Sequence, residues 1–200
     1  MHWKLLCHCV RYIKGTLSYG LVFKGKKPSC MEVYVDSDHA TDMENGRSVT
    51  GRAVFYGGDY IGGEASKQST TEGSSTGAEI RASAAATKHT IGDQIMIKMM
   101  GRDVSLPTPV FIDNQATINL YHSPRLGKKV KYLALDILMC RDVEENGLVK
   151  YVKVATEANI ADMMTKALPG PQLARLRDSF MVNVDKHHDS ARSTVEIVTE

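Results

Sequence analysis

Two hundred residues, 42% hydrophobic and 24% charged, suffice for one domain with a core of its own. The net charge of +2 permits contact with a polyanion without indicating one, and no window of about 18 apolar residues exists to cross a membrane. Cys7, Cys9, Cys30 and Cys140 suggest no disulfide framework, which fits a reducing interior, and Cys7-His8-Cys9 lacks the spacing of a zinc site.

Residues 1–17 carry an apolar stripe (Leu5, Cys9, Tyr12, Ile13) interleaved with Lys4, Arg11 and Lys14. This predicts an amphipathic helix stopped near Gly15, not the continuous apolar run of a signal peptide. "YGLVF" reads as a short strand and "KGKKPS" as a break. "EVYVD" and two short runs around Gly57-Gly58 predict a three-stranded antiparallel meander over 31–64.

A Ser/Thr start at "SSTGAEI", an Ala-rich middle and Gly101 mark one long helix. Its expected apolar face is Ala84, Thr87, Ile91, Ile95 and Met99, with Glu79 near its start. "TPVFIDN" is a strand ending in an Asp, "NQATINLYH" a brief helix, and "VKYLALDILMCRDVEENG" a longer one stopped at Gly147. "LVKYVKV" alternates as a strand, and "NIADMMTKAL" begins a helix that Pro169-Gly170-Pro171 ends. One more short helix fits before about Phe180, and the polar "DKHHDSARSTVEIVTE" reads as a loose tail in which His187-His188 is too little for a metal site.

The order β-β-β-α-β-α-α-β-α predicts an α/β fold, a mixed five-stranded sheet flanked by helices. Asp36 ends the first meander strand and Asp113 ends "VFID". If those strands run parallel as neighbours, both carboxylates emerge at one sheet edge, where ligand sites of such sheets lie. Glu79 and Asp162, each early on a helix, are placed to close the site. Singly, each acid also fits a turn, cap or helix-dipole role. Together, four carboxylates repel unless cations sit between them, and oxygen-only ligation favours Mg²⁺ or Mn²⁺. Two such ions suit phosphodiester cleavage.

The segments "YVDSDHATD", "GRSVTGRAVFYGGDYI", "KQSTTEGSSTGAEIRA", "VFIDNQATI" and "TEANIADMMTKAL" resemble the ribonuclease H region of Ty1/copia-type retrotransposon polyproteins. The opening "HWKLLCHCVRYIKGTLSYGLVF" looks like the stretch joining reverse transcriptase to that region, and the resemblance covers about residues 2–180. It implies a ribonuclease H fold, a Mg²⁺-dependent endonuclease acting on the RNA strand of RNA–DNA hybrids, and catalytic and metal roles for Asp36, Glu79, Asp113 and Asp162. It also implies an adjoining reverse transcriptase in a longer polyprotein. The expected setting is a retroelement's virus-like particle in the cytoplasm, with the nucleus as a second location. The expected division is 1–28 as the end of the reverse transcriptase or connection, 29–170 as the ribonuclease H-like domain, and 171–200 as a short helix and tail. Ser37, Ser74, Asn114 and Gln115 are candidate polar contacts to nucleic acid, with caps or turns as the alternative.

The chain departs from the family pattern in places. His39 stands where a Trp is usual and reads either as a proton shuttle or as a surface replacement. Gly63 stands where a Trp is expected after the third strand, and Gly77 replaces the first Glu of S-S-T-E-A-E. Tyr132 and Ala134 replace the His and Asp of K-H-I-D-I, and no His precedes Asp162 in "VATEANIAD". Intact ligands inside an altered shell make a degenerate module, binding hybrid or purely structural, the alternative function. An integrase-like polynucleotidyl transferase is a weaker third reading.

Overall fold

The computed structural model describes residues 2–24, 29–42 and 44–185, so the break at 25–28 and the tail with His187-His188 lie outside the described residues. The chain forms two compact units, Lys24–Leu176 and a smaller one from its two ends.

In the smaller unit, α1 (His2–Gly15) precedes β1 (Tyr19–Leu21). The apolar side chains of α1, including Trp3, Leu5, Leu6 and Ile13, are exposed.

The larger unit is built on a sheet whose strands appear in the order β2 (Met31–Asp38), β3 (Val49–Tyr56), β4 (Asp59–Lys67), β5 (Thr108–Ile112) and β6 (Val149–Lys153). In space they lie β4-β3-β2-β5-β6, the first three antiparallel and β2, β5 and β6 parallel. The expected mixed five-stranded sheet is therefore present. Parallel strands need a crossover, and the 25-residue α2 (Ser75–Met99) supplies it between β4 and β5. On its way back to β6 the chain forms α3 (Gln115–His122), a 3₁₀ segment (Lys128–Leu133) and α4 (Ala134–Glu145). A second 3₁₀ turn (Thr156–Ala158), α5 (Asp162–Thr165) and α6 (Gly170–Arg177) follow. The strand β7 (Met181–Asn183) pairs antiparallel with β1 in the smaller unit, where the Arg177 guanidinium lies 3.9 Å from the Tyr19 ring centroid.

Alternation decides which side chains enter the core. Met31, Val33, Val35, Val110, Ile112 and Val149 are buried, packed with Ile80, Ala84, Tyr121 and Ile137 of the helices. Beyond them, Tyr34 stacks on Phe111 with ring centroids 4.7 Å apart. Gly101 and Gly147, both at positive φ, end α2 and α4 as expected. In each case the following residue donates back into the last turn, Arg102 to Ile97 and Leu148 to Val143.

Four expectations need correction. The inner face of α2 turns from Ala84 and Thr87 to Thr90, Gln94 and Ile97, leaving Ile95 and Met99 exposed. The polar pair tolerates burial because Thr90 donates to the Ala86 carbonyl and Gln94 Nε2 to Thr108 Oγ1 and the Leu148 carbonyl. The helix expected from Val130 begins as 3₁₀ and becomes α-helical only at Ala134. The helix at Asp162 is a single turn, because Lys166 is already extended and Pro169 disfavours helical backbone at Leu168. Pro169-Gly170-Pro171 therefore opens α6 instead of ending a longer helix, Pro171 sitting in the first turn where its missing N–H costs nothing. The strand β7 was not expected at all.

Candidate metal centre

Register explains how two distant aspartates meet. Val35 of β2 pairs with Ile112 of parallel β5, so the next residues, Asp36 and Asp113, come side by side where that pairing ends; Asp36 does not end its strand as expected, since β2 runs on to Asp38 against β3. Ser74 caps α2 by accepting the Gly77 N–H at 3.1 Å, which starts the helix above that place and points Glu79 into it. One carboxylate oxygen each from Asp36, Glu79 and Asp113 lies within 4.8 Å of the others. Lys153 Nζ donates to the Asp113 carbonyl and ties the end of β5 to β6.

Asp162, the fourth expected acid, comes in on α5. Asn159 is fully buried and donates from Nδ2 to the Val35 carbonyl at 2.9 Å, fastening the loop before α5 to β2. Gly51 of β3 lets α5 lie against the sheet: a Cβ there would sit 2.9 Å from both the Ala161 carbonyl and Met164 Cβ. Asp162 then reaches the others through a cation of the chain itself. Lys166 Nζ donates to Asp36 Oδ1 at 3.0 Å and to Asp162 Oδ1 at 2.7 Å, while the Thr165 hydroxyl donates to Asp36 Oδ2. Sequence reasoning missed Thr165 and Lys166. The Asp162–Lys166 i,i+4 spacing was the available signal.

The centre is largely buried, with Asp113 half-buried, and electrostatically loaded. Burial, then the charges of Asp36 and Asp113, push the Glu79 carboxyl up to about 8, against partial relief from Ser37 N–H at 3.3 Å. Burial also raises Asp162, opposed by Lys166. Glu79 Oε2 is buried without a hydrogen-bond partner, a costly state for a carboxylate. An all-oxygen donor set, a buried unpartnered acceptor and mutual repulsion are the conditions under which a hard divalent cation binds, so these residues fit Mg²⁺ or Mn²⁺.

Of the four residues proposed to touch nucleic acid, Ser74 and Asn114 are helix caps, Asn114 accepting the Thr117 N–H at 3.2 Å. Ser37 is buried beside Glu79, and Gln115 is exposed, donating to Asn119. His39 donates from Nε2 to the Glu72 carbonyl at 2.9 Å.

Two of the departures from the family pattern, Gly77 and Tyr132, fit one another. Gly63 lies inside β4, not after it, and a Cβ there would stand 2.9 Å from the Arg52 carbonyl and collide with the Tyr60 hydroxyl. A Cβ at Gly77 would meet Tyr132 Oη at 2.9 Å and Glu72 Oε2 at 3.0 Å. The space left open at Gly77 thus holds a bond between Tyr132 and the buried Glu72 (2.9 Å), which Arg81 also pairs at 2.9 Å.

No family model matches the chain. It is similar to the retrovirus-related Pol polyprotein from transposon RE2 of Arabidopsis thaliana, 29% identical over 167 residues, covering 84% of this chain and 12% of that protein. The Pol polyprotein from transposon RE1 of the same plant is 28% identical, with coverages of 84% and 11%. That from transposon TNT 1-94 of Nicotiana tabacum is 28% identical over 171 residues, with coverages of 84% and 12%. The chain thus spans about an eighth of the length of these relatives. Among solved structures, LC11-RNase H1, determined in complex with an RNA/DNA hybrid, superposes with a TM-score of 0.51 at 14% identity, covering 68% of this chain and 93% of that one. The same enzyme, isolated from compost, gives 0.51 at 15% in a second structure. The relatives are retrovirus-related Pol polyproteins of Ty1/copia-type transposons, and the sheet-centred unit of this chain has the ribonuclease H fold.

Proposed function

We propose that the chain is the hybrid-cleaving part of a longer Pol polyprotein, a divalent-metal-dependent nuclease that hydrolyses the RNA strand of RNA–DNA hybrids endonucleolytically. The observation that carries this is the meeting of three carboxylate oxygens from β2, α2 and the end of β5 within 4.8 Å, one of them from Glu79, whose Oε2 is buried and unpartnered. Asp36, Glu79 and Asp113 would hold one Mg²⁺, for which Mn²⁺ can substitute, and Asp36 with Asp162 would offer a second position. Bound there, divalent ions lower the pKa of an attacking water and neutralise charge on the leaving oxygen.

The chain's own groups do the rest. Thr165 fixes Asp36, Ser37 N–H fixes Glu79 Oε1, and Glu79 Oε2 is left open as a ligand. Gln115, exposed at the start of α3, is free of capping duty and suits contact with a hybrid phosphate or 2′-hydroxyl. Such binding weakens with salt as counterions compete. The partners would be the hybrid and the adjoining reverse transcriptase of the same polyprotein, in a cytoplasmic virus-like particle or the nucleus.

An end-labelled RNA–DNA hybrid incubated with and without Mg²⁺ tests this. Cleavage of the RNA strand by wild type, lost without Mg²⁺ and in Asp113→Asn, is expected. An uncut hybrid, or equal cutting by the variant, rejects the nuclease. The second reading, a non-catalytic hybrid-binding module, is favoured by one observation, the ammonium of Lys166 between Asp36 and Asp162. Hybrid affinity indifferent to metal, together with no Mg²⁺ binding, would support that reading.

A further inference from the structure

We infer that Lys166 sets the metal stoichiometry of the centre: its ammonium is the resident cation between Asp36 and Asp162, so one divalent ion binds tightly and a second binds only by displacing it. The inference deepens the metal-dependent reading above and rests on it.

The geometry is that of a bridging cation. Lys166 Nζ is 3.0 Å from Asp36 Oδ1 and 2.7 Å from Asp162 Oδ1, the two carboxylates that any ion on the α5 side would have to share. Asp36 Oδ2 is engaged as well, by Thr165. On the α2 side, Glu79 Oε2 has no partner and stands open as a ligand. The two halves of the centre are therefore unequal: on the α5 side an ammonium bridges two carboxylates, whereas on the α2 side Glu79 Oε2 meets no donor and Lys153 reaches only the Asp113 backbone carbonyl.

Charge points the same way. With Asp36, Glu79, Asp113 and Asp162 ionised, these four side chains, Lys166 and one divalent ion sum to a single negative charge; the exposed Lys153, which reaches only the Asp113 backbone carbonyl, is screened by solvent. A second divalent ion makes the centre net positive unless the ammonium leaves. Leaving is mechanically simple. The Lys166 side chain is a third exposed at the extended end of α5, whereas Asp36 and Asp162 are 1% and 2% exposed and α5 is held by Asn159 and by contact at Gly51. The carboxylates stay in place while the flexible stem swings to solvent.

Mn²⁺ titration followed by electron paramagnetic resonance counts bound ions directly. Wild type should show one tight and one weak site. In Lys166→Met, which removes the charge and keeps the stem, the weak site should tighten by at least about tenfold. Lys166→Arg, which keeps the charge, should stay like wild type. Two equally tight sites in wild type, or an unchanged weak site in Lys166→Met, overturns the inference and leaves the tight site and the nuclease reading standing. No Mn²⁺ binding to wild type, or binding indifferent to Asp36→Asn, removes that reading and the inference with it. Should Lys166→Met not fold, acylation of the Lys166 amine in wild type decides. Its rate should rise sharply between Mn²⁺ levels that fill the first site and those that fill the second, and a constant rate overturns the inference.

Discussion

Replacing Glu79 by Gln keeps its shape and removes its charge, so it isolates the electrostatic load of the centre. The folded carboxyl titrates at about 8, against 4.5 for an unhindered one. Between those values the native chain holds a proton that the unfolded chain has released, so the native state binds more protons and stability must fall as pH rises. At about 1.36 kcal/mol per unit of displacement, this one group costs up to about 5 kcal/mol by pH 8, with no further change above. Urea unfolding in EDTA from pH 5 to 9 measures it. Wild type should lose stability across the window, while Glu79→Gln should be nearly flat and exceed wild type by several kcal/mol at pH 8. Mg²⁺ should restore wild type at pH 8 far more than the variant. Parallel curves for the two proteins would refute the claim that Glu79 is desolvated and pressed by Asp36 and Asp113.

Three further substitutions probe the supports. Gly51→Val should lower stability by about 1–3 kcal/mol and also reduce hybrid cleavage, because its side chain would push against Ala161 and Met164 and displace α5; thermal unfolding and a cleavage assay read both. Thr165→Val strips the hydroxyl from Asp36, and calorimetry should show divalent affinity falling by about 10–100-fold with the fold retained. Gly77→Ala should destabilise, since its Cβ meets Tyr132 Oη and Glu72, and should destabilise less when combined with Tyr132→Phe; a double-mutant cycle should yield a coupling of about 0.5–3 kcal/mol, and additivity would show that the two departures do not compensate.

Much of this was legible in the chain because the carrying signals are local or periodic. The alternation of Val33, Val35, Val110 and Ile112 announces buried strands, and an Asp directly after each run marks where the pairing of β2 with β5 ends. What stayed hidden depends on partners far away in sequence. Gln94 looks like a surface residue until Thr108 and Leu148 satisfy it. Three-residue β7 has no identity apart from its pairing with β1. Lys166 reads as a solvated helix end; only the packing of α5 on Gly51 and β2 brings its ammonium between Asp36 and Asp162. Of the altered positions, Gly77 and Tyr132 are linked only in the fold, where with Glu72 they share one pocket of space.

Anomalous scattering from crystals soaked in Mn²⁺ tests the metal centre most directly. A peak within ligand distance of Asp36, Glu79 and Asp113, absent from Asp36→Asn crystals, is the expected result. Soaked crystals with no peak there, or with the peak at an unrelated surface carboxylate, would contradict the assignment of these acids as a cation site.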